Sequence, residues 1–149
     1  MAVKIKNLED LLVLHEGLRL HAYDDATGKT IQRGDTLKGN LTIGIGRNLT
    51  ANGLTKREVV NLLKNDIQTA RKKARRYKWF EAMKEVRQAV IVSLIFNVGN
   101  IDSYKKMRAA ISVKNYELAS IEMLDSLWAE QVGDRAIVLA DYFRTGTWD

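Results

Sequence analysis

The stretch Glu16-Gly-Leu-Arg-Leu-His-Ala-Tyr-Asp-Asp25 marks the point at which a helical pattern gives way to an extended one. Immediately before it, one helical face collects the side chains of Leu8, Leu11, Leu12 and His15, which predicts a short helix. Gly17 is predicted to end this helix, because glycine accepts the backbone conformation that commonly follows a last turn. Glu16 is therefore predicted to lie at the C-terminal end of a helix.

The segment from residue 18 to residue 46 has the pattern of short antiparallel strands joined by turns. Apolar and polar side chains alternate over residues 18–23, and glycines recur at positions 28, 34, 39, 44 and 46. Ala26-Thr27-Gly28 is predicted to be one of the turns. We expect only a small sheet in this segment.

Helical patterns return after this segment and continue to the C-terminus. Thr55 and Glu58 have the spacing of a capping box, and apolar residues then recur every three or four positions as far as Tyr77. Residues 89–98 are apolar except at Ser93 and Asn97, which predicts a helix buried nearly all round. Further helices are predicted at residues 105–111, 116–128 and 134–143.

These elements predict a mainly helical α+β fold in a single domain covering residues 1–149. A small antiparallel β lobe is expected at about residues 18–54. A larger helical lobe is expected at about residues 1–17 and 55–149, with a cleft between the two lobes. The composition is that of a globular protein, with 46% hydrophobic and 28% charged residues.

The composition also limits the chemistry. No cysteine is present, which excludes a disulfide framework and cysteine-based zinc sites. The two histidines, at positions 15 and 21, have no further ligand cluster around them, so we predict no metal and no cofactor. The N-terminal segment has only a short apolar run broken by charges, which predicts neither a signal peptide nor a membrane anchor.

The net charge of +6 predicts an anionic partner, which could be nucleic acid, lipid headgroups or an acidic cell-wall polymer. No nucleic-acid-binding motif is recognisable, and we therefore predict no nucleic-acid partner. The basic run at residues 71–78 has two interpretations. It is either a solvated helix face, the commoner case, or a surface that binds an anionic wall, membrane or nucleic acid.

Two carboxylates, Glu16 and Asp25, flank the first predicted strand, so that a hairpin can direct both toward one substrate. Glycoside hydrolysis needs such a pair, since one acid protonates the leaving oxygen and the other carboxylate serves the far face of the sugar. The C-terminal end of a helix carries partial negative charge, which favours the protonated acid and suits Glu16 to the first role. Taken alone, carboxylates at this spacing are more often simply solvated.

An ordered set of motifs resembles the phage-type lysozymes, in particular those of the T-even phages. The set begins with residues 16–25 and ends with Phe143-Arg-Thr-Gly-Thr-Trp-Asp149. Between them lie Thr42-Ile-Gly-Ile-Gly46, Phe96-Asn97-Val-Gly99, Trp128, Gln131 and Arg135-Ala136. The motifs follow family order with nearly family spacing, which makes the resemblance specific.

The resemblance implies catalytic roles for three residues. Glu16 stands where the family has its general acid, and Asp25 stands where it has the second carboxylate. Thr42 matches the threonine that positions the attacking water. The spacing from Tyr23 selects Asp25 over Asp24, because alternate residues of a strand share a face and Asp24 would point away.

The resemblance also implies substrate-binding and supporting residues. Phe96 matches a cleft-lining aromatic residue, and Asn48 replaces a leucine at a cleft position. Asn97 replaces a glutamine, and Arg135 matches an arginine that pairs with the catalytic glutamate. Such a cation favours the ionised carboxylate and so opposes the effect of the helix end at Glu16.

The sequence departs from the family pattern in two places. Thirteen residues separate Gly28 from Thr42 where the T-even enzymes have two, so residues 29–41 form an enlarged loop or an extra hairpin. We expect an accessory loop that is not part of the core. Arg47 replaces a histidine, and we expect it to form a structural ion pair with Asp66.

The function that the resemblance implies is that of an endolysin-type lysozyme. Such an enzyme hydrolyses the β-1,4 bond between N-acetylmuramic acid and N-acetylglucosamine in bacterial peptidoglycan and lyses the host cell. Its partner is the peptidoglycan glycan strand. We expect a monomer without stable membrane insertion, kept in the host cytoplasm until a separate membrane-permeabilising protein lets it reach the wall.

Two other functions stay open. One is a lytic transglycosylase on the same fold, against which Thr42 argues mildly, since that reaction needs no water-positioning group. The other is a catalytically inactive module that binds the wall or nucleic acid. The presence of Glu16, Asp25 and Thr42 together argues against it.

Overall fold

The structure, a computed structural model, describes residues 4–149. Residues 1–3, which the sequence assigned to the helical lobe, lie outside the described residues. The first half of the chain contains α1 Leu8–Glu16, β1 Arg19–Asp24, β2 Leu41–Gly44, β3 Arg47–Asn48, α2 Leu49–Asn52 and α3 Lys56–Ala74. The second half contains α4 Glu85–Val98, α5 Lys105–Ser112, α6 Tyr116–Leu124, α7 Leu127–Val132 and α8 Asp134–Thr145.

This architecture confirms the predicted α+β class, mainly helical with a small antiparallel sheet. The chain divides by its internal contacts into two compact units, Met1–Val59 and Val60–Asp149, called unit 1 and unit 2 below. The division falls inside α3. Within residues 4–149, no helix is both long enough and apolar enough to cross a membrane.

In unit 1, α1 has the bounds that the sequence predicted. The side chain of Asn7 caps its start by accepting the backbone N–H of Asp10. Gly17 ends it with a φ of +76° and donates its N–H to the carbonyl of Val13 at 2.9 Å. Glu16 is thus the last residue of the helix.

The sheet of unit 1 has the strand order β1-β2-β3, with both pairs antiparallel. Thr42 lies in the middle strand, opposite Tyr23 on one side and Asn48 on the other. The predicted turn at Ala26-Thr27-Gly28 is confirmed, because Gly28 donates its N–H to the Asp24 carbonyl at 2.7 Å. The sequence did not predict β3 or α2, which are both very short.

The predicted capping box at the start of α3 is confirmed. Thr55 donates its backbone N–H to Glu58 Oε1 at 3.0 Å, and Glu58 donates its N–H to Thr55 Oγ1 at 3.2 Å. These two bonds satisfy backbone donors that the first turn of a helix leaves without partners. The helix ends at Ala74, three residues before the predicted end.

In unit 2 the core surrounds α4, which begins at Glu85 and carries five buried apolar residues: Val90, Ile91, Val92, Leu94 and Ile95. Helix α8 packs against α4, α6 and α7. The single helix predicted at residues 116–128 is two helices, because the chain turns at Asp125 and Ser126. The Ser126 hydroxyl then accepts the N–H of Ala129 and caps α7.

Candidate active site

Glu16 lies exposed at the C-terminal end of α1. Its side chain is close to Gly46, in the turn between β2 and β3. A Cβ atom built on Gly46 would lie 3.0 Å from Glu16 Oε2 and 3.3 Å from Cδ. A side chain at position 46 would press on the carboxylate, which would have to shift by a few tenths of an ångström. The resemblance had placed Gly46 in a family motif without giving its contact with Glu16.

Asp25 follows the last residue of β1 and is exposed. Its two carboxylate oxygens each accept a hydrogen bond from Asn40: the backbone N–H reaches Oδ1 at 2.7 Å, and the side-chain Nδ2 reaches Oδ2 at 3.0 Å. These bonds lower the pKa of Asp25 below its ordinary value, the backbone bond having the larger effect. Asp25 is therefore ionised at neutral pH.

Asp24 has a different environment from the one we expected. Strand alternation predicts that Asp24 points away from the face of Asp25. In the structure Asp24 is buried, with 6% of its surface exposed. Its carboxylate accepts backbone N–H bonds from Ala26 at 2.9 Å, Lys38 at 2.7 Å and Gly39 at 3.0 Å. The bond from Lys38 is the main cause that lowers the pKa of Asp24.

The 29–41 loop is more firmly attached than the expected accessory loop. It begins with a bridge between Tyr23 and Thr30, and Ile31 donates its N–H to the Ala22 carbonyl at 3.0 Å. It ends with the three backbone donors that bind Asp24 and Asp25. Backbone bonds at both ends therefore join the loop to the β1 segment, although none of residues 29–41 belongs to the buried apolar core.

Thr42 is buried, with 3% of its surface exposed, and its hydroxyl donates to the Asn40 carbonyl at 3.1 Å. The same carbonyl accepts the backbone N–H of Asp25 at 3.2 Å. Asn40 therefore contacts both Asp25 and Thr42. With its hydrogen committed to Asn40, the Thr42 hydroxyl can still accept a hydrogen bond through its remaining lone-pair capacity.

A sequence model of the phage lysozyme family matches residues 13–139, which is most of the chain and includes Glu16, Asp25 and Thr42. The chain belongs to the phage lysozyme family. Membership in this family indicates a glycosidase, and the helical fold with its small antiparallel sheet is consistent with a lysozyme-like fold. The resemblance found in the sequence is thereby confirmed at the level of the family.

Asn48 has a structural role in this phage lysozyme. Its side-chain oxygen accepts the N–H of Ala51 at 2.9 Å and caps α2. It also lies opposite Thr42 in the sheet, so both side chains project from the same face. The predicted contact between Asn48 and substrate stays a prediction.

Arg47 is paired with Glu58, and not with Asp66 as expected. Its Nη1 lies 2.7 Å from Glu58 Oε2 and donates to the Gly53 carbonyl at 3.1 Å. The guanidinium, together with the bonds from Thr55, lowers the pKa of Glu58 to about 2. The capping box already holds Glu58 in place, so little extra ordering is needed to form the ion pair.

Phe96, Asn97 and Arg135 of this phage lysozyme lie in unit 2. Phe96 and Asn97 are in the last turn of α4 and exposed, with 49% of Phe96 accessible. Phe96 lines a cavity of about 240 Å³ together with Asp66. Arg135 is exposed in the first turn of α8. The roles of these three residues toward the substrate and Glu16 stay predictions.

Unit 2 has a larger cavity, of about 720 Å³, that the sequence analysis missed. Trp128 lines it, and the lining also includes two cations, Lys105 and Lys106, and two carboxylates, Glu122 and Asp125. Trp128 is buried, and among residues 4–149 its indole Nε1 has no hydrogen-bond partner. The lining comes from several helices, so no single sequence motif could indicate it.

Proposed function

We propose that this phage lysozyme is an N-acetylmuramidase. It hydrolyses the β-1,4 bond between N-acetylmuramic acid and N-acetylglucosamine in peptidoglycan and thereby lyses the host cell. The observation that carries the proposal is the different setting of its two carboxylates. Both oxygens of Asp25 accept hydrogen bonds from Asn40, whereas Glu16 lies exposed at a helix end, against Gly46.

These settings suit different roles in the reaction. The donors on Asp25 favour its ionised form, which can take a proton from water or stabilise positive charge on the sugar. Glu16 is the last residue of α1 and is exposed beside Gly46, where it can reach a substrate and give a proton as the general acid. Pairs of carboxylates in contrasting environments are the usual basis for dividing acid and base roles.

In the proposed reaction, Glu16 gives its proton to the glycosidic oxygen as the bond to the sugar breaks. Asp25 serves the opposite face of the sugar, where water adds. The Thr42 hydroxyl donates to Asn40, so it acts toward the water only as an acceptor. The water can then give one hydrogen bond to Thr42 and its other proton to Asp25.

The partner in this proposal is the glycan strand of peptidoglycan, an anionic polymer that suits a chain with a net charge of +6. We propose that the protein acts as a monomer. We also propose that it stays in the host cytoplasm until a separate membrane-permeabilising protein gives it access to the wall.

The test is a digestion of purified peptidoglycan sacculi, followed by mass analysis of the released fragments. The proposal predicts fragments that end in reducing N-acetylmuramic acid, each heavier by one water than the product of a lyase. Fragments ending in anhydro-muramic acid would show that the enzyme is a transglycosylase. Binding to sacculi without any released fragment would show an inactive wall-binding module.

A further inference from the structure

The 29–41 loop brings three consecutive backbone donors to the carboxylates that follow one another in the chain. Lys38 and Gly39 donate to Asp24, and Asn40 donates to Asp25. The two aspartates therefore take successive N–H groups from the same short segment. Such an arrangement fixes the segment and the carboxylates relative to each other.

Gly39 permits this close approach. A Cβ atom at this position would overlap Asp25 Oδ1 and would lie 2.7 Å from the Cβ of Ala26. Real Cβ atoms do not come this close to other atoms, so any larger residue at position 39 would displace the Asp25 carboxylate or the loop. Residues of the loop, as well as those of β1, therefore form the immediate surroundings of Asp25.

Asn40 makes the more specific contact. Its backbone N–H binds one oxygen of Asp25 and its side-chain amide binds the other, so the plane of the carboxylate is held at two points. Its carbonyl accepts bonds from the Asp25 N–H and the Thr42 hydroxyl. One residue of the loop therefore contacts both groups that serve the water-bearing face of the sugar in the proposed reaction.

We propose that the 29–41 loop is a clamp that orients Asp25, and that Asn40 is a positioning residue for the glycosidase reaction. The inference rests on the function proposed above. Asn40 touches no reacting atom and acts only through Asp25 and Thr42. The negative charge of Asp24 raises the pKa of Asp25. The hydrogen bonds from Asn40 lower the same pKa by more, so the pKa of Asp25 lies below its ordinary value.

The experiment compares Asn40→Ala and Asn40→Asp with wild type by two readouts. The first is the titration of the Asp25 carboxyl carbon, followed by NMR in the full-length protein without substrate. The second is the pH profile of sacculus hydrolysis. Asn40→Ala removes one donor and should raise the Asp25 titration midpoint. It should also lower kcat by about 2- to 10-fold with little change in KM, as for one lost hydrogen bond.

Asn40→Asp should raise the titration midpoint further, because another negative charge, besides that of Asp24, would lie against Asp25. In both variants the acid limb of the pH profile should move upward with the titration midpoint. Gln32→Ala and Gln32→Glu are the matched controls, since Gln32 is an exposed amide of the same loop, and they should match wild type.

The two proposals fail in different ways in this experiment. An unchanged Asp25 titration in both folded Asn40 variants, with wild-type activity present, would overturn the clamp. A change in KM alone, with kcat and the acid limb unmoved, would do the same. Absence of any sacculus hydrolysis by the wild-type protein would overturn the proposed function, whatever the titrations show.

Discussion

Gly46 lies so close to Glu16 that a single added carbon on the glycine would come within 3.0 Å of the carboxylate oxygen Oε2. The turn between β2 and β3 therefore forms one wall around the side chain that we propose as the general acid. Gly46 also has a φ of +70°, in the left-handed region that favours glycine. Two separate constraints thus act at this position, one conformational and one steric.

Alanine substitutions separate these constraints. Gly46→Ala and Gly44→Ala both place a side chain at a positive φ, and each should cost about 1–2 kcal/mol of stability. Only Gly46→Ala presses on Glu16, since a Cβ at Gly44 meets nothing within 4 Å. Gly46→Ala should therefore also lower kcat by about 10- to 100-fold. Equal activity of the two variants, measured below their unfolding temperatures, would show that the contact does not matter.

Asp24→Asn should destabilise unit 1, because an amide offers one acceptor oxygen where the buried carboxylate uses two. The unfolding temperature should fall by several degrees, and the amide protons of Lys38 and Gly39 should exchange faster with solvent. Asp35→Asn is the control, because Asp35 is exposed and accepts the Gln32 N–H within the same loop. Unchanged exchange at Lys38 and Gly39 would contradict this role for Asp24.

The case of Asp24 shows what the sequence could predict and what it could not. Strand alternation distinguishes neighbouring residues such as Asp24 and Asp25, because that pattern is local. The partners of both carboxylates come from residues 38–40, and their position depends on how the loop closes. Loop closure is set by long-range contacts, so no periodicity in the sequence could reveal these donors.

The end of α1 and the start of α3 could be predicted from the sequence, because the residues that mark them are close together in the chain. Gly17 marked the end of α1, and the Thr55–Glu58 capping box marked the start of α3. The partner of Arg47 was mispredicted as Asp66, because the sequence did not show that the capping-box carboxylate of Glu58 would also bind the guanidinium. The cavity beside Trp128 needed the assembled helices of unit 2.

The Arg47–Glu58 ion pair predicts a specific loss of stability in acid. The pKa of Glu58 is lowered from 4.5 to about 2, so its contribution is complete above pH 4.5 and is lost as the pH falls toward 2. Glu58→Gln keeps a capping-box residue but removes the charge. The unfolding temperatures of wild type and Glu58→Gln should therefore differ at neutral pH and converge near pH 2.

Asp66→Asn is the control for this comparison, because Asp66 was the partner expected from the sequence. It should follow the wild-type curve. If Asp66→Asn reproduced the converging curves and Glu58→Gln did not, the ion pair assigned to Arg47 would be the wrong one.

The basic run at residues 71–78 predicts that the salt dependence of lysis comes from these cations and not from cations elsewhere on α3. Lys73 donates to the Gly99 carbonyl and Arg75 pairs with Glu81, so the variant to test replaces Arg71, Lys72 and Arg76 with glutamine. If these cations steer the enzyme onto an anionic wall, the variant should lose most of the salt dependence of lysis. Screening acts beyond about 10 Å at 0.1 M salt.

The control replaces three other cations of α3, Lys56, Arg57 and Lys64, and makes the same change in net charge. It should keep the wild-type salt dependence. If both triple variants lost the salt dependence of lysis equally, only the net charge of the protein would matter. If neither variant lost it, the basic run would be a solvated helix face without a role in wall binding.

The most direct test of the account is the rate at which Glu16→Gln hydrolyses purified sacculi, measured as released reducing ends. Glutamine keeps the shape of the side chain but has no acidic proton to give to the glycosidic oxygen. We expect a folded variant, by circular dichroism, whose turnover is at least about 100-fold below wild type. Glu9→Gln, an exposed change on the same helix, should retain full activity. Hydrolysis at the wild-type rate by folded Glu16→Gln would contradict the assignment of Glu16 as the general acid.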